Sequence, residues 1–177
     1  LIAPIITMRL FSEDRKQKVD QALFTAPVKL ISIICGKFFA AFTLFMIPMS
    51  ITLVYQIILS FSADVNWLMY LSDILGIVLL GAAIISIGLF ISALTESQII
   101  AGVFGMAVSF FIMQIDYFAS AVNAEWFSNF CTSVSFITRY NAFTSGQIDF
   151  SNGVFFLSVT VLFLYLTHIV LDKKRWA

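Results

Sequence analysis

The stretch Asp73 to Leu94, DILGIVLLGAAIISIGLFISAL, is followed after only Thr95-Glu96-Ser97 by a second apolar stretch, Gln98 to Phe118, QIIAGVFGMAVSFFIMQIDYF. Each is close to the ~20 residues that a helix needs to cross a bilayer. The three residues between them allow a tight turn. Working outward, two further runs of similar length lie at Phe38 to Ser62 and Gly153 to Leu171. Pro48 falls inside the first of these and is expected to kink it, because proline removes one backbone bond and crowds the preceding turn. The expectation is an all-α, polytopic helical membrane protein with four complete transmembrane helices.

Composition agrees. Sixty per cent of the 177 residues are hydrophobic and 11% are charged, against about 25% charged in a soluble domain. The formal net charge is zero, so nothing points to nucleic acid as a partner. Residues 1–8, Leu-Ile-Ala-Pro-Ile-Ile-Thr-Met, are apolar but reach only about 12 Å as a helix. They lack the basic flank and cleavage site of a signal peptide and are expected to be the end of a preceding span.

Orientation follows from lysine and arginine in the connections. Of the ten basic residues, Arg9, Arg15, Lys16, Lys18, Lys29 and Lys37 precede the first complete span, and Lys173, Lys174 and Arg175 follow the last. Arg139 is the tenth. An even number of spans places both basic ends on one side, the cytoplasmic side of an inner membrane. Cys35 and Cys131 then lie on opposite sides and are not expected to pair. The connection 119–152 is rich in aromatics, and Trp126, Phe130, Val134 and Ile137 recur at helical spacing. It is expected to hold a short amphipathic helix in an interfacial or re-entrant segment on the extracytoplasmic side.

The segment from Arg9 to Val28 carries most of the charge near the N-terminus. Ser12 can cap a helix over 12–24 whose first turn holds Glu13 and Asp14, carboxylates suited to the positive end of the dipole. Asp14 and Lys18 are spaced as an i,i+4 pair, and Phe11, Val19, Ala22 and Ala26 share a face interrupted by Arg15. Thr25 and Pro27 then make an elbow toward the first complete span. Basic residues could hold such a helix on anionic lipid. The interspersed acids Glu13, Asp14 and Asp20 favour a docking surface for a cytoplasmic protein.

These residues resemble the permeases of type-2 ABC exporters, in particular the gliding-motility-like subgroup. Met8 to Lys16 with Leu23 to Val28 is similar to the coupling-helix motif of that family. Gly88 to Gln98 is similar to its tight cytoplasmic turn, and Gly146-Gln147-Ile148-Asp149 with Lys173-Lys174-Arg175-Trp176 resembles the flanks of its last span. The resemblance implies that Arg9, Phe11, Ser12, Glu13, Asp14, Arg15, Lys16 and Pro27 form the docking site of an ATP-binding subunit. It also implies a second permease copy or paralogue as partner, beside membrane lipid.

The chain has no phosphate-cradling G-x-x-x-x-G-K-[ST] loop, so ATP and Mg are expected in the partner subunit, with no cofactor bound by this chain. Neither a catalytic constellation nor a metal-ligand motif is present in the sequence, which carries a single histidine, His168. That histidine is read as interfacial packing. Gln114 and Asp116, near the outer end of the third span, admit two readings: solvated interfacial groups, or parts of a translocation path. Gly88 with Ser92, and Ala101 with Gly105 and Ser109, are small residues one turn apart, as close helix packing requires. The reading from the sequence is a permease subunit of an ATP-driven exporter. The alternatives are an ion-coupled transporter or channel, which would need charge near the bilayer midplane, and a membrane scaffold that transports nothing.

Overall fold

The computed structural model describes residues 2–12, 30–61, 66–95, 97–117, 131–146 and 149–175, and these contain helices and no strand. The helices named among the described residues are, in order, α1 (Ile2–Thr7), α2 (Leu30–Ser60), α3 (Trp67–Leu94), α4 (Gln98–Met113), α5 (Phe136–Thr144) and α6 (Phe150–Arg175). Three of them, α2, α3 and α6, are long and apolar enough to cross a membrane. The expected docking helix lies outside the described residues except at Ser12, as do Glu13, Asp14, Arg15, Lys16, Thr25 and Pro27.

The long helices extend beyond the hydrophobic runs, with different local support at each start. The described part of α2 begins at Leu30, eight residues before Phe38, and Leu30 and Ile34 are buried against Phe11, Leu89, Ala93 and Leu171. It continues through Pro48 without ending. α3 begins at Trp67, six residues before Asp73, with the Asn66 side chain accepting the Met69 N–H. α4 is shorter than the run 98–118 and stops at Met113, where the Gln114 N–H caps onto Phe110 and Phe111. Its 16 residues span roughly 24 Å at the usual rise.

α3 is the central element. Its buried residues face all the other helices: Ile84 and Ile85 meet Ala3, Phe38 and Ala41, while Ala83 and Ile87 belong to a cluster with Phe136, Phe143 and Phe156. The outer faces of α2 and α6 carry exposed apolar side chains such as Phe39, Ile51, Leu157 and Val161, the pattern of a bundle solvated by lipid. Hydroxyls along the spans bond back into their own helix, as Thr43, Ser50, Ser86, Thr160 and Thr167 do to carbonyls three or four residues earlier. This removes the cost of carrying a polar group into hydrocarbon.

Within the aromatic connection, the described residues 131–146 hold the short helix α5. Residues 131–134 are helical, but Ser135 is extended and interrupts the pattern, and α5 starts at Phe136. Ser135 wins over continuity because its hydroxyl caps the Thr138 N–H at 3.0 Å. Trp126, Phe127 and Phe130 lie outside the described residues.

Candidate functional site

At the end of the bundle that carries the basic termini, α1 enters a cleft between α3 and α4. The cleft exists because the sequence puts small residues there. A side chain at Gly88 would place its Cβ 2.9 Å from the Thr7 Cβ, closer than packed carbons approach, so glycine is what allows α1 to touch the α3 backbone. On α4, Ala101, Gly105 and Ser109 are buried; Gly105 faces Pro4, and neighbouring Gly102 faces the Met8 sulfur.

One turn after Gly88, the fully buried Ser92 fixes the chain as it leaves α1. Its hydroxyl oxygen accepts the N–H groups of Phe11 at 3.2 Å and Ser12 at 3.3 Å, and its proton points to the Met8 carbonyl. The Ser12 hydroxyl donates to that same carbonyl. From α2, the Lys37 ammonium donates to the Leu10 carbonyl and lies 4.8 Å from the centre of the Phe11 ring. Arg9 is exposed. Phe11 and Ser12, two of the expected docking residues, are thus held from two helices at the point where the segment 12–24 begins.

The opposite end is organised by α5. Asp116, just past α4, accepts the hydroxyls of Ser135 at 2.5 Å and Thr138 at 3.2 Å through one carboxylate oxygen. A carboxylate at the first turn of a helix is favourably placed against its dipole. The other oxygen is buried without a hydrogen-bond partner among the described residues. Arg139 donates to the Ser133 carbonyl at 2.8 Å and to Asn152 at 3.1 Å, and its guanidinium lies 4.2 Å from the centre of the Phe155 ring. Phe143 is buried over the backbone of α3 at Gly76. Gly146, at φ +76°, ends α5 in a left-handed conformation that favours glycine.

The Tyr140 hydroxyl donates to Asp73 at 2.7 Å. Burial, then the hydrogen bond and the charge of Asp73, push the phenol well above its ordinary range. Beside this pair a cavity of about 480 Å³ opens between α2, α3 and α5, lined in part by Gln56, Asn66 and Tyr70.

The structure therefore distributes the residues singled out in the sequence over two sites. Gly88, Ser92, Ala101 and Gly105 surround α1, while Gln114 caps α4 and Asp116 is engaged by α5. His168 lines an apolar groove between α2 and α6 with Cys35 and Tyr165. Lys37, Asp73, Ser135 and Tyr140 were not visible as site residues. Asp73 carried the one usable signal, since a charge at the edge of an apolar run needs a partner. Among the described residues no group of three or more His, Cys, Asp or Glu side chains could hold a metal ion.

Long apolar helices around a buried α3, with an ordered turn at the basic end, are the architecture of a multi-pass membrane protein. The sequence pattern of the family described as ABC-2 family transporter protein matches residues 1–171. The chain belongs to that family, and is a membrane-spanning permease component of an ABC transporter. No curated protein and no solved structure matches it.

Proposed function

We propose that this chain is the permease subunit of an ATP-driven exporter, working with a second permease copy or paralogue and with ATP-binding subunits that hold ATP and Mg. The family match over 1–171 carries the reading. In this reading there are four complete spans, α4 being the short one, and both basic ends face the cytoplasm. The helix over 12–24 docks the ATP-binding subunit through Glu13, Asp14, Arg15 and Lys16.

The Ser92 clamp supports the mechanism. A displacement of the docked helix at Ser12 pulls directly on α3, and α3 packs against every other described helix. A two-state bundle biased by nucleotide needs such a stiff link between docking surface and core. Replacing Glu13→Ala and Arg15→Ala together should separate ATP hydrolysis from transport in reconstituted vesicles. Transport that remains normal, with the ATP-binding subunit still bound, overturns the proposal.

A further inference from the structure

The cavity beside Asp73 has a definite electrostatic character. Asp73 spends one carboxylate oxygen on Tyr140, and no basic side chain among the described residues is paired with it. The basic residue nearest in sequence to Tyr140, Arg139, directs its guanidinium to Ser133, Asn152 and Phe155 instead. Tyr70 lines the same cavity, and its hydroxyl is buried without a partner among the described residues. The remaining polar lining, Gln56, Asn66 and Thr144, is neutral. A volume of about 480 Å³ lies in the range of small-molecule sites.

An uncompensated carboxylate at the edge of an apolar bundle is costly, and a cation is the ligand that relieves the cost. An anion would meet Asp73 with no basic group in the lining to offset it. A neutral apolar ligand would cover Asp73 and leave its charge desolvated. An ammonium gains from the carboxylate and from the faces of tyrosine rings, to which cations are attracted by the ring quadrupole. We infer that this cavity binds an organic ammonium group, with Asp73 as its counter-charge and Tyr70 and Tyr140 as its aromatic walls. The ammonium can come from a lipid headgroup or from a free small cation. Placement of the site on the extracytoplasmic side rests on the orientation proposed above; the binding itself does not, and needs no nucleotide.

The test uses the full-length protein in nanodiscs of phosphatidylglycerol, titrated with choline, with empty discs as reference. Its neutral carbon isostere, 3,3-dimethylbutanol, is titrated in parallel. Choline should bind saturably, and the isostere should not. D73N keeps the shape and an acceptor for Tyr140, and should weaken choline by about tenfold or more, as loss of a partly buried counter-charge does. Y70L removes an aromatic face with the charge intact and should weaken it by about threefold or more; if D73N does not fold, this variant decides. Repeating the titration in phosphatidylcholine discs separates the two sources. Lost choline binding there supports the cation site with a lipid headgroup as occupant, and unchanged binding supports it with a free cation. The inference is overturned by absence of saturable choline binding in phosphatidylglycerol discs, by equal binding of the isostere, or by D73N or Y70L binding choline as the unaltered protein does. Because no ATP is present, none of these outcomes bears on coupling to the ATP-binding subunit.

Discussion

The two ends of the bundle are held by different chemistry. At the basic end, α1 and the turn after it are fixed by close approach at Gly88 and by one serine hydroxyl bonded to backbone groups. At the other end, α5 is fixed through the ionisable side chains of Asp73, Asp116, Arg139 and Tyr140. The Ser92 hydroxyl and the backbone amides it holds carry no charge, so these bonds are stiff and do not depend on pH, and the Lys37 ammonium adds one charged contact at this end. Burial and Asp73 raise the pKa of the Tyr140 phenol, so the second loses that contact only in alkali. The stiff end is the one that must transmit force in the proposed mechanism, and the titratable end is the one beside the cavity.

Predictions from this contrast begin with Gly88. Alanine is normally better than glycine inside a helix by about 1 kcal/mol, so stabilisation by G88A in a thermal melt would break the close-approach account. The expected outcome is a loss of about 1–3 kcal/mol, as for overpacked sites, with T7G in the same chain restoring most of it. Next, S92A leaves two buried N–H donors unsatisfied and should cost about 1–3 kcal/mol. That loss should be the same in mildly acidic and mildly alkaline buffer, and a pH-dependent loss would blur the distinction between the two ends.

Effects at the α5 end are expected to be smaller. D116N keeps an acceptor for Ser135 and Thr138 but removes the charge, so about 0.5–1.5 kcal/mol should be lost, the scale of the weakened hydrogen bonds. A melting temperature equal to that of the unaltered protein would count Asp116 out as an anchor of α5. The smallest effect concerns Tyr140. Its pKa is raised in the fold by burial, by the hydrogen bond to Asp73 and by that charge. The associated stability is therefore fully present below about pH 10, the ordinary phenol value, and is lost as pH rises beyond it. The difference in melting temperature between the protein and Y140F should hold steady from neutral pH upward and shrink only in that alkaline window. A difference that shrinks already near neutrality would show that another group controls the contact.

Much of this architecture was legible in the chain. Twenty-residue apolar runs announce helices in lipid, because nothing else satisfies the backbone there. Small residues one turn apart at Gly88 and Ser92 announced a tight contact, though not with which helix. The ends of the helices were less legible. Leu30 and Trp67 lie outside the runs, and both are helical, Leu30 packed against Phe11 and Leu171 and Trp67 following an asparagine cap. The start of α5 was not legible either, because it rests on Ser135, whose hydroxyl caps the Thr138 N–H.

By itself, the sequence determined that the protein lives in a membrane as helices and where its charges are concentrated, since hydropathy and charge act locally along the chain. Only the tertiary structure decided what those helices hold. Ser92 reaches Phe11 across 81 positions, and Tyr140 reaches Asp73 across 67. Polar groups carried into an apolar bundle must find partners wherever the fold brings them, and no local pattern records which partner that will be.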